Sequence, residues 1–209
     1  MKLLCRAVMA VPLLVFTVQF ACAQVDPSFD VGDLFIGMPI RAIPNAGYID
    51  LSCVDDASRK LRSWSESSEC PLGMDQLRAV RFEFDPATSR DGTSVAGHPV
   101  ILTALVDDSE TLAGLKIDTD PEARLYMRKK AFLLGAQVKS RYGSEGWTCM
   151  QRGHEAGERA VGGIYIRESC RKTLQRRLLV IERDLFRRPD QGRKDFVNRT
   201  QVTITRDSQ

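Results

Sequence analysis

The N-terminal leader and the four cysteines behind it constrain this chain more than any other feature of its sequence. A positively charged start precedes an apolar run over residues 7–16, and Ala21 and Ala23 place small residues at positions −3 and −1 of a cleavage site. This is the pattern of a secretory signal peptide over residues 1–23 that is removed after Ala23. The sequence therefore predicts a periplasmic or secreted protein, in a compartment where disulfides persist.

Two other interpretations of the leader are weaker. A retained transmembrane anchor needs about 20 apolar residues, whereas Pro12, Thr17 and Gln19 interrupt a shorter run. A lipid anchor on Cys22 is the second alternative, but Gln19 stands where lipid-modified leaders normally carry leucine. Ordinary cleavage after Ala23 is favoured because the pattern of small residues is intact.

The cysteines that remain after cleavage predict two disulfides. Cys53, Cys70, Cys149 and Cys170 make an even number in an exported chain, and four cysteines allow three pairings. The sequential pairing, Cys53 with Cys70 and Cys149 with Cys170, is favoured because each pair closes a short loop within its own half of the chain. A zinc site is the alternative, but the chain has no C-x2-C spacing and only two histidines. No metal and no cofactor are therefore predicted.

The two halves of the chain carry opposite net charges, which nearly cancel in the chain as a whole. Residues 24–110 contain 7 basic and 15 acidic residues, whereas residues 111–209 contain 21 basic and 12 acidic residues. Such asymmetry is typical of nucleic-acid or membrane partners, but an exported protein rarely meets nucleic acid, so none is predicted. The basic half favours an acidic partner or a membrane surface. Alternatively, the two halves dock on each other, or their charges simply lie on solvated strand faces.

The periodicity of the chain predicts an α+β fold. Residues 78–84 alternate apolar and polar, as in a half-buried strand, and residues 93–117 indicate a hairpin. Thr119 and Glu122 fit a capping box in front of an amphipathic stretch that Gly143 ends. We therefore expect antiparallel sheet with one long amphipathic helix, about residues 120–142, packed on one face. The apolar stripe of this helix consists of Ala123, Met127, Ala131, Leu134, Val138 and Tyr142.

The order of these parts suggests two related modules. Residues 24–33 indicate a flexible lead-in, residues 34–110 a first α+β module and residues 111–209 a second. In each half a strand, a helical segment, a cysteine, a loop with a second cysteine and another strand follow one another. Residue identity between the halves is poor, so one continuous domain remains the alternative.

The segment Leu34-Phe35-Ile36-Gly37-Met38-Pro39 resembles the strand-Gly-Met-Ser/Pro start of small periplasmic modules. These modules are typified by the β-lactamase inhibitor protein and the SmpA/OmlA lipoproteins. The placement of the cysteines and the strands after each helix carry the same resemblance over most of the mature chain. It implies a small disulfide-stapled α+β fold and a role in inhibition or envelope assembly. The chain departs from the pattern at Pro44, which cuts the first helix short, and no binding residue is transferred.

No recognisable catalytic constellation is present in the sequence. The G-x-S-x-G elbow, the H-E-x-x-H zinc helix and the phosphate-cradling loop are all missing, so no enzymatic activity is predicted. His154 is the best single candidate for chemistry because Glu155 and Glu158 lie beside it. A general base or metal ligand is one interpretation, and an exposed loop histidine is the favoured one.

These observations favour a binding protein. The polar loops 55–75 and 151–163 stand on a rigid sheet, where recognition residues tend to lie. We expect an exported inhibitor or immunity factor that docks on an envelope or secreted enzyme, with an envelope structural or assembly factor at the membrane surface as the alternative. An enzyme of unrecognised type, centred on His154, is a third. The candidate binding residues are Trp64, Trp147, Arg152, His154 and Tyr165.

Overall fold

A single antiparallel sheet dominates the described part of this chain. The computed structural model describes residues 30–192 and 195–207, and the predicted signal peptide and the lead-in up to residue 29 lie outside this range. Within it, nine strands follow the order β1-β2-β4-β5-β9-β8-β7-β6, with β3 paired to β4 only. The strands are β1 (Tyr48–Cys53), β2 (Arg78–Phe84), β3 (Ser94–Val95), β4 (His98–Val106), β5 (Leu112–Thr119), β6 (Thr148–Gln151), β7 (Ile166–Leu174), β8 (Arg177–Phe186) and β9 (Val197–Arg206).

In the described part of the chain, helix is limited to four short pieces. The α-helices are α1 (Leu125–Arg128) and α2 (Leu133–Arg141), and 3-10 helices span Ile40–Ala42 and Trp64–Glu69. The predicted α+β fold with one long helix over residues 120–142 is therefore wrong. Antiparallel strands form most of the regular secondary structure, and the predicted helix is replaced by α1 and α2, of four and nine residues.

Tertiary hydrogen bonds explain why the long helix does not form. Thr119 ends β5 opposite Val100, and its hydroxyl accepts the backbone N–H of Thr200 at 3.0 Å instead of capping a helix. Between α1 and α2, the hydroxyl of Thr200 donates to the carbonyl of Ala131 at 2.9 Å. The backbone there turns through i to i+3 bonds, as from Lys130 N–H to the Met127 carbonyl at 2.9 Å. Packing against β9 thus overrides the local preference for helix.

The predicted apolar stripe survives only in α2 and the residues next to it. Ala131, Leu134, Val138 and Tyr142 are at most 5% exposed, and α2 packs on β8 and β9. Strand residues that point to the same face, such as Ile181, Val202 and Ile204, are at most 1% exposed. The core therefore lies between α2, the N-terminal segments and this face of the sheet.

The sheet is continuous across residues 110 and 111, where the sequence suggests a boundary between modules. β4 and β5 pair over seven residues of β4, from Val100 to Val106, and β5 also pairs with β9. Charges join the halves as well, because Arg177 lies 3.2 Å from the buried carboxylate of Asp30 and Arg206 lies 3.8 Å from Asp107. The acidic and basic halves therefore meet through ion pairs within one sheet.

Both predicted disulfides are confirmed. Cys53 is bonded to Cys70, and Cys149 to Cys170. Two disulfides fit an oxidising extracellular compartment. Among the described helices, none has the length and apolar character required to cross a membrane.

Candidate binding surface at the β6–β7 edge of the sheet

Trp64 belongs to the core of the acidic half and not to a surface. It is 1% exposed, and its ring centroid lies 5.4 Å from that of Tyr48 and 5.1 Å from that of Phe82, in edge-on contacts. Burial of so large a ring stabilises the fold, and aromatic pairs of this geometry add about 0.5–1.5 kcal/mol each. Trp64 is therefore a packing residue of the 3-10 helix that holds it, unavailable to a partner.

The other four candidate residues lie at the opposite end of the sheet, where β6 forms the edge. Trp147 precedes β6, and its indole N–H donates to the carbonyl of Gly143 at 2.8 Å. The ammonium of Lys172 lies 5.8 Å from the indole centroid and donates to the carbonyls of Tyr142, Gly143 and Glu145 at 2.6–3.1 Å. A cation at the C-terminus of α2 satisfies free carbonyls and opposes the helix dipole. Trp147 thus joins the segment after α2 to the start of β6, and Lys172 joins it to β7.

Arg152, His154 and Tyr165 come together on the face of the sheet away from α2. The loop that follows β6 folds back so that the His154 ring stacks on the Tyr165 ring, with centroids 3.5 Å apart and planes 10° apart. Arg152 forms an ion pair with Asp184 of β8 at 2.7 Å. The hydroxyl of Tyr165 donates to Glu158 at 2.6 Å. Three residues that the sequence analysis singled out are therefore neighbours.

Arg167, which the sequence analysis missed, is the centre of this group. Its guanidinium lies 2.8 Å from Glu155 and 3.2 Å from Glu158, and it stands 5.0 Å above the ring of Phe186. We call Arg152, Glu155, Glu158, Tyr165, Arg167, Asp184 and Phe186 the Arg167 cluster. Because the side chain of Glu158 is only 5% exposed, its contact with Arg167 is shielded from water and binds the loop to β7.

The protonation states in the Arg167 cluster reflect these contacts. Burial raises the pKa of Glu158, but the Tyr165 hydroxyl, the backbone N–H of Glu155 and the charge of Arg167 outweigh this, so its pKa lies below the usual range. Burial and the Glu158 carboxylate raise the pKa of Tyr165. The hydrogen bond that Arg167 donates to the Glu155 carboxylate is the main reason that the pKa of Arg167 is raised. At neutral pH Glu158 is therefore ionised, whereas Tyr165 and Arg167 keep their protons.

A second polar group lies on the opposite face of β7, because neighbouring residues in a strand point to opposite sides. Glu168, adjacent to Arg167, accepts hydrogen bonds from Arg183 at 2.7 and 3.0 Å and from Lys139 at 3.3 Å. Burial raises the pKa of Glu168, and the two cations more than compensate, leaving it lowered. Cys149 and Cys170 lie beside this carboxylate within metal-ligating distance. Their sulfurs are bonded to each other, however, so they do not offer thiolates to an ion.

The sequence gives little indication of which residues contact Arg167 and Glu168. Arg167 and Glu168 are consecutive charges in a strand, which predicts only that they face opposite sides. The acidic partners of Arg167 are Glu155 and Glu158, which lie 12 and 9 residues before it, and Asp184 of β8. The exposed residues His154 and Ile164, the latter 45% exposed, remain on the solvent side of this braced loop.

Comparisons with protein-family models, curated proteins and solved structures find no match to this chain. The resemblance to β-lactamase-inhibitor-like and SmpA/OmlA-like modules therefore stays a prediction.

Proposed function

We propose that this is an exported binding protein that docks on a protein partner through the loop between β6 and β7, as an inhibitor or immunity factor of an envelope or secreted enzyme would. The observation that carries the proposal is that this loop is exposed to solvent and is also held to β7 and β8 by ion pairs. Ion pairs tie Glu155 and Glu158 of this loop to Arg167 of β7, and His154 and Ile164 are exposed to solvent.

A braced loop favours tight recognition for a physical reason. A loop that is ordered only on binding loses conformational freedom at that moment, about 0.5–1.5 kcal/mol for each immobilised side chain. Here two ion pairs of Arg167 and the stack of His154 on Tyr165 provide that order beforehand. The exposed apolar residues Ile164, 45% exposed, and Met150 of β6, 61% exposed, supply the contact area that a partner would cover.

The membrane-surface alternative has less support. A membrane attracts cations that are free, whereas Arg177 and Arg206 of the basic half pair with Asp30 and Asp107 of the acidic half. Arg199 likewise pairs with Asp118 at 2.8 Å. The pairs of Arg177 and Arg206 thus use part of the charge asymmetry between the halves, and the pair of Arg199 with Asp118 lies within the basic half.

Site-specific photo-crosslinking tests the proposal in the native envelope. A photoreactive amino acid at Ile164 is compared with the same residue at Val54, which is 46% exposed at the opposite end of the sheet and serves as a matched control. We expect a specific adduct from position 164 only.

The captured protein is then identified, produced and titrated against variants. Because truncating a central contact removes more than about 1.4 kcal/mol of binding free energy, H154A and I164A are expected to raise Kd at least tenfold. Met74→Ala, at a fully exposed residue of the acidic half, is expected to leave Kd within about twofold. Equal crosslinking from positions 54 and 164, or a Kd insensitive to both loop variants, would contradict docking through this loop.

A further inference from the structure

The two disulfides of this protein lie in opposite surroundings. Cys53 and Cys70 are 1% and 3% exposed and belong to the hydrophobic core. Cys170 is fully buried, whereas its partner Cys149 is an exposed residue of β6. A thiol in solution can therefore reach only one of the two bonds in the folded state.

The position of Cys149 in the sheet leaves this bond accessible. β6 has four residues, all exposed, and among the described residues it pairs with β7 alone. Cys149 lies directly opposite Cys170 in that pairing. The disulfide therefore joins an edge strand to its neighbour, and no further strand of the described chain covers it.

A cation stands beside both sulfurs. The ammonium of Lys139, on α2, lies 3.0 Å from the sulfur of Cys170 and 3.3 Å from that of Cys149. A neutral disulfide gains little from a positive charge, but a thiolate is stabilised by one, because the charge lowers the pKa of the thiol. Lys139 also lies 3.3 Å from Glu168, yet Arg183 already donates two hydrogen bonds to that carboxylate. The balance of charge at Glu168 therefore does not require Lys139.

We propose that Cys149–Cys170 is a thiol–disulfide exchange site, in which Cys149 is the attacked sulfur and Cys170 the leaving thiolate stabilised by Lys139. The co-reactant is a dithiol of the exported compartment. Its thiolate attacks the sulfur of Cys149, the disulfide bond breaks, and the electron pair leaves on Cys170. The second thiolate of the dithiol then attacks the mixed disulfide, and Cys149 leaves as a thiolate that takes up a proton. The dithiol is oxidised to a disulfide, and the protein gains two electrons.

The core disulfide is an internal control for the first experiment. The full oxidised protein is exposed to dithiothreitol without denaturant, quenched at intervals and alkylated, and the two pairs are quantified as separate peptides. We expect Cys149–Cys170 to be reduced at least about tenfold faster than Cys53–Cys70. Equal rates, or prior reduction of the core pair, would overturn the proposal.

Glutathione and two lysine variants test the roles of the individual atoms. A glutathione adduct trapped during exchange is expected on Cys149, and an adduct confined to Cys170 would reverse the assignment. Lys139→Met is expected to slow reduction of Cys149–Cys170 by roughly threefold or more, since loss of the charge raises the pKa of the leaving thiol. Lys139→Arg is expected to restore the rate.

The Cys53–Cys70 rate, measured in the same samples, shows whether either variant has loosened the fold. An unchanged Cys149–Cys170 rate in Lys139→Met would remove Lys139 from the mechanism and refute the proposal as stated. This site lies on the α2 side of β7, so its failure would leave docking through the β6–β7 loop untouched.

Discussion

Gly135 lies within α2 against the side chains of Arg183 and Ile181 of β8, and its replacement by alanine tests how tightly the helix and the sheet are joined. An added Cβ would lie 2.5 Å from Cδ of Arg183 and 3.2 Å from both Cγ of Arg183 and Cγ2 of Ile181. Arg183 cannot move aside freely, because it donates to Glu168 at 2.7 and 3.0 Å and to the carbonyl of Phe132 at 3.4 Å.

Two opposing effects determine the stability of Gly135→Ala. Alanine in a helix interior is favoured over glycine by about 1 kcal/mol. Forcing a methyl group into a filled contact costs about 1–3 kcal/mol. Because the methyl group meets an anchored side chain, we expect the second effect to prevail and the free energy of unfolding to fall by roughly 0.5–2 kcal/mol.

The sign should reverse when Arg183 is removed. In an Arg183→Ala background the 2.5 Å contact is absent, and only Ile181 must shift by a few tenths of an ångström. Gly135→Ala is then expected to stabilise by roughly 0.5 kcal/mol or more. The resulting coupling free energy between positions 135 and 183, about 1–3 kcal/mol, lies in the range measured for residues in contact.

Urea unfolding of the oxidised protein measures these differences, with fluorescence of the buried Trp64 as the signal. Gly153→Ala is the control for the general effect of replacing glycine, because its Cβ would meet nothing within 4 Å and its φ is not positive. The reasoning fails if Gly135→Ala stabilises the wild-type background as much as the Arg183→Ala background.

Two further predictions concern the core of the acidic half and its neighbour His98. Replacing Cys53 and Cys70 together by alanine opens a loop of 17 residues in sequence separation and is expected to lower the free energy of unfolding by about 3 kcal/mol, measured by urea unfolding. His98 is 6% exposed, and its burial lowers its pKa below 6.5, with Lys130 adding to this and a hydrogen bond with Gln137 opposing it. The unfolded chain therefore takes up a proton near pH 6.5 that the folded chain resists, so stability falls as the pH drops through this region. His98→Gln should weaken the decrease between pH 7 and pH 5, and an identical decrease in both proteins would count against this origin.

Local patterns determined much of the strand structure and the covalent frame. The alternation over residues 78–84 corresponds to β2, in which Val80 and Phe82 are fully buried. Such patterns succeed because the side-chain period of a strand is a property of its backbone. The pairing of Cys53 with Cys70 and of Cys149 with Cys170 was also predictable, because each pair is only 17 or 21 residues apart in the chain.

The candidate site was predictable only in part. Arg152, His154 and Tyr165 were singled out from a polar loop, and the structure brings them together. Trp64 was chosen by residue type, and it lies in the core because its ring packs against Tyr48 and Phe82. Arg167 was not identified, because the sequence does not show how the loop with Glu155 and Glu158 folds back on β7, nor that Asp184 of β8 lies opposite Arg167.

The sequence by itself thus determined the strand at residues 78–84, the hairpin within residues 93–117, the two cysteine pairs and the polar loop, since these depend on residues near one another in the chain. Only the tertiary structure decided where the helix begins, because Thr119 and Thr200 bond to each other across the sheet and the backbone near Ala131 bonds to β9. It also decided that Arg167 braces the loop and that Lys139 lies beside a disulfide. The contacts of Thr200 and Lys139 join residues that only the pairing of distant strands and the docking of α2 bring within a few ångströms. The contacts of Arg167 with Glu155 and Glu158 depend on how the preceding loop folds back on β7.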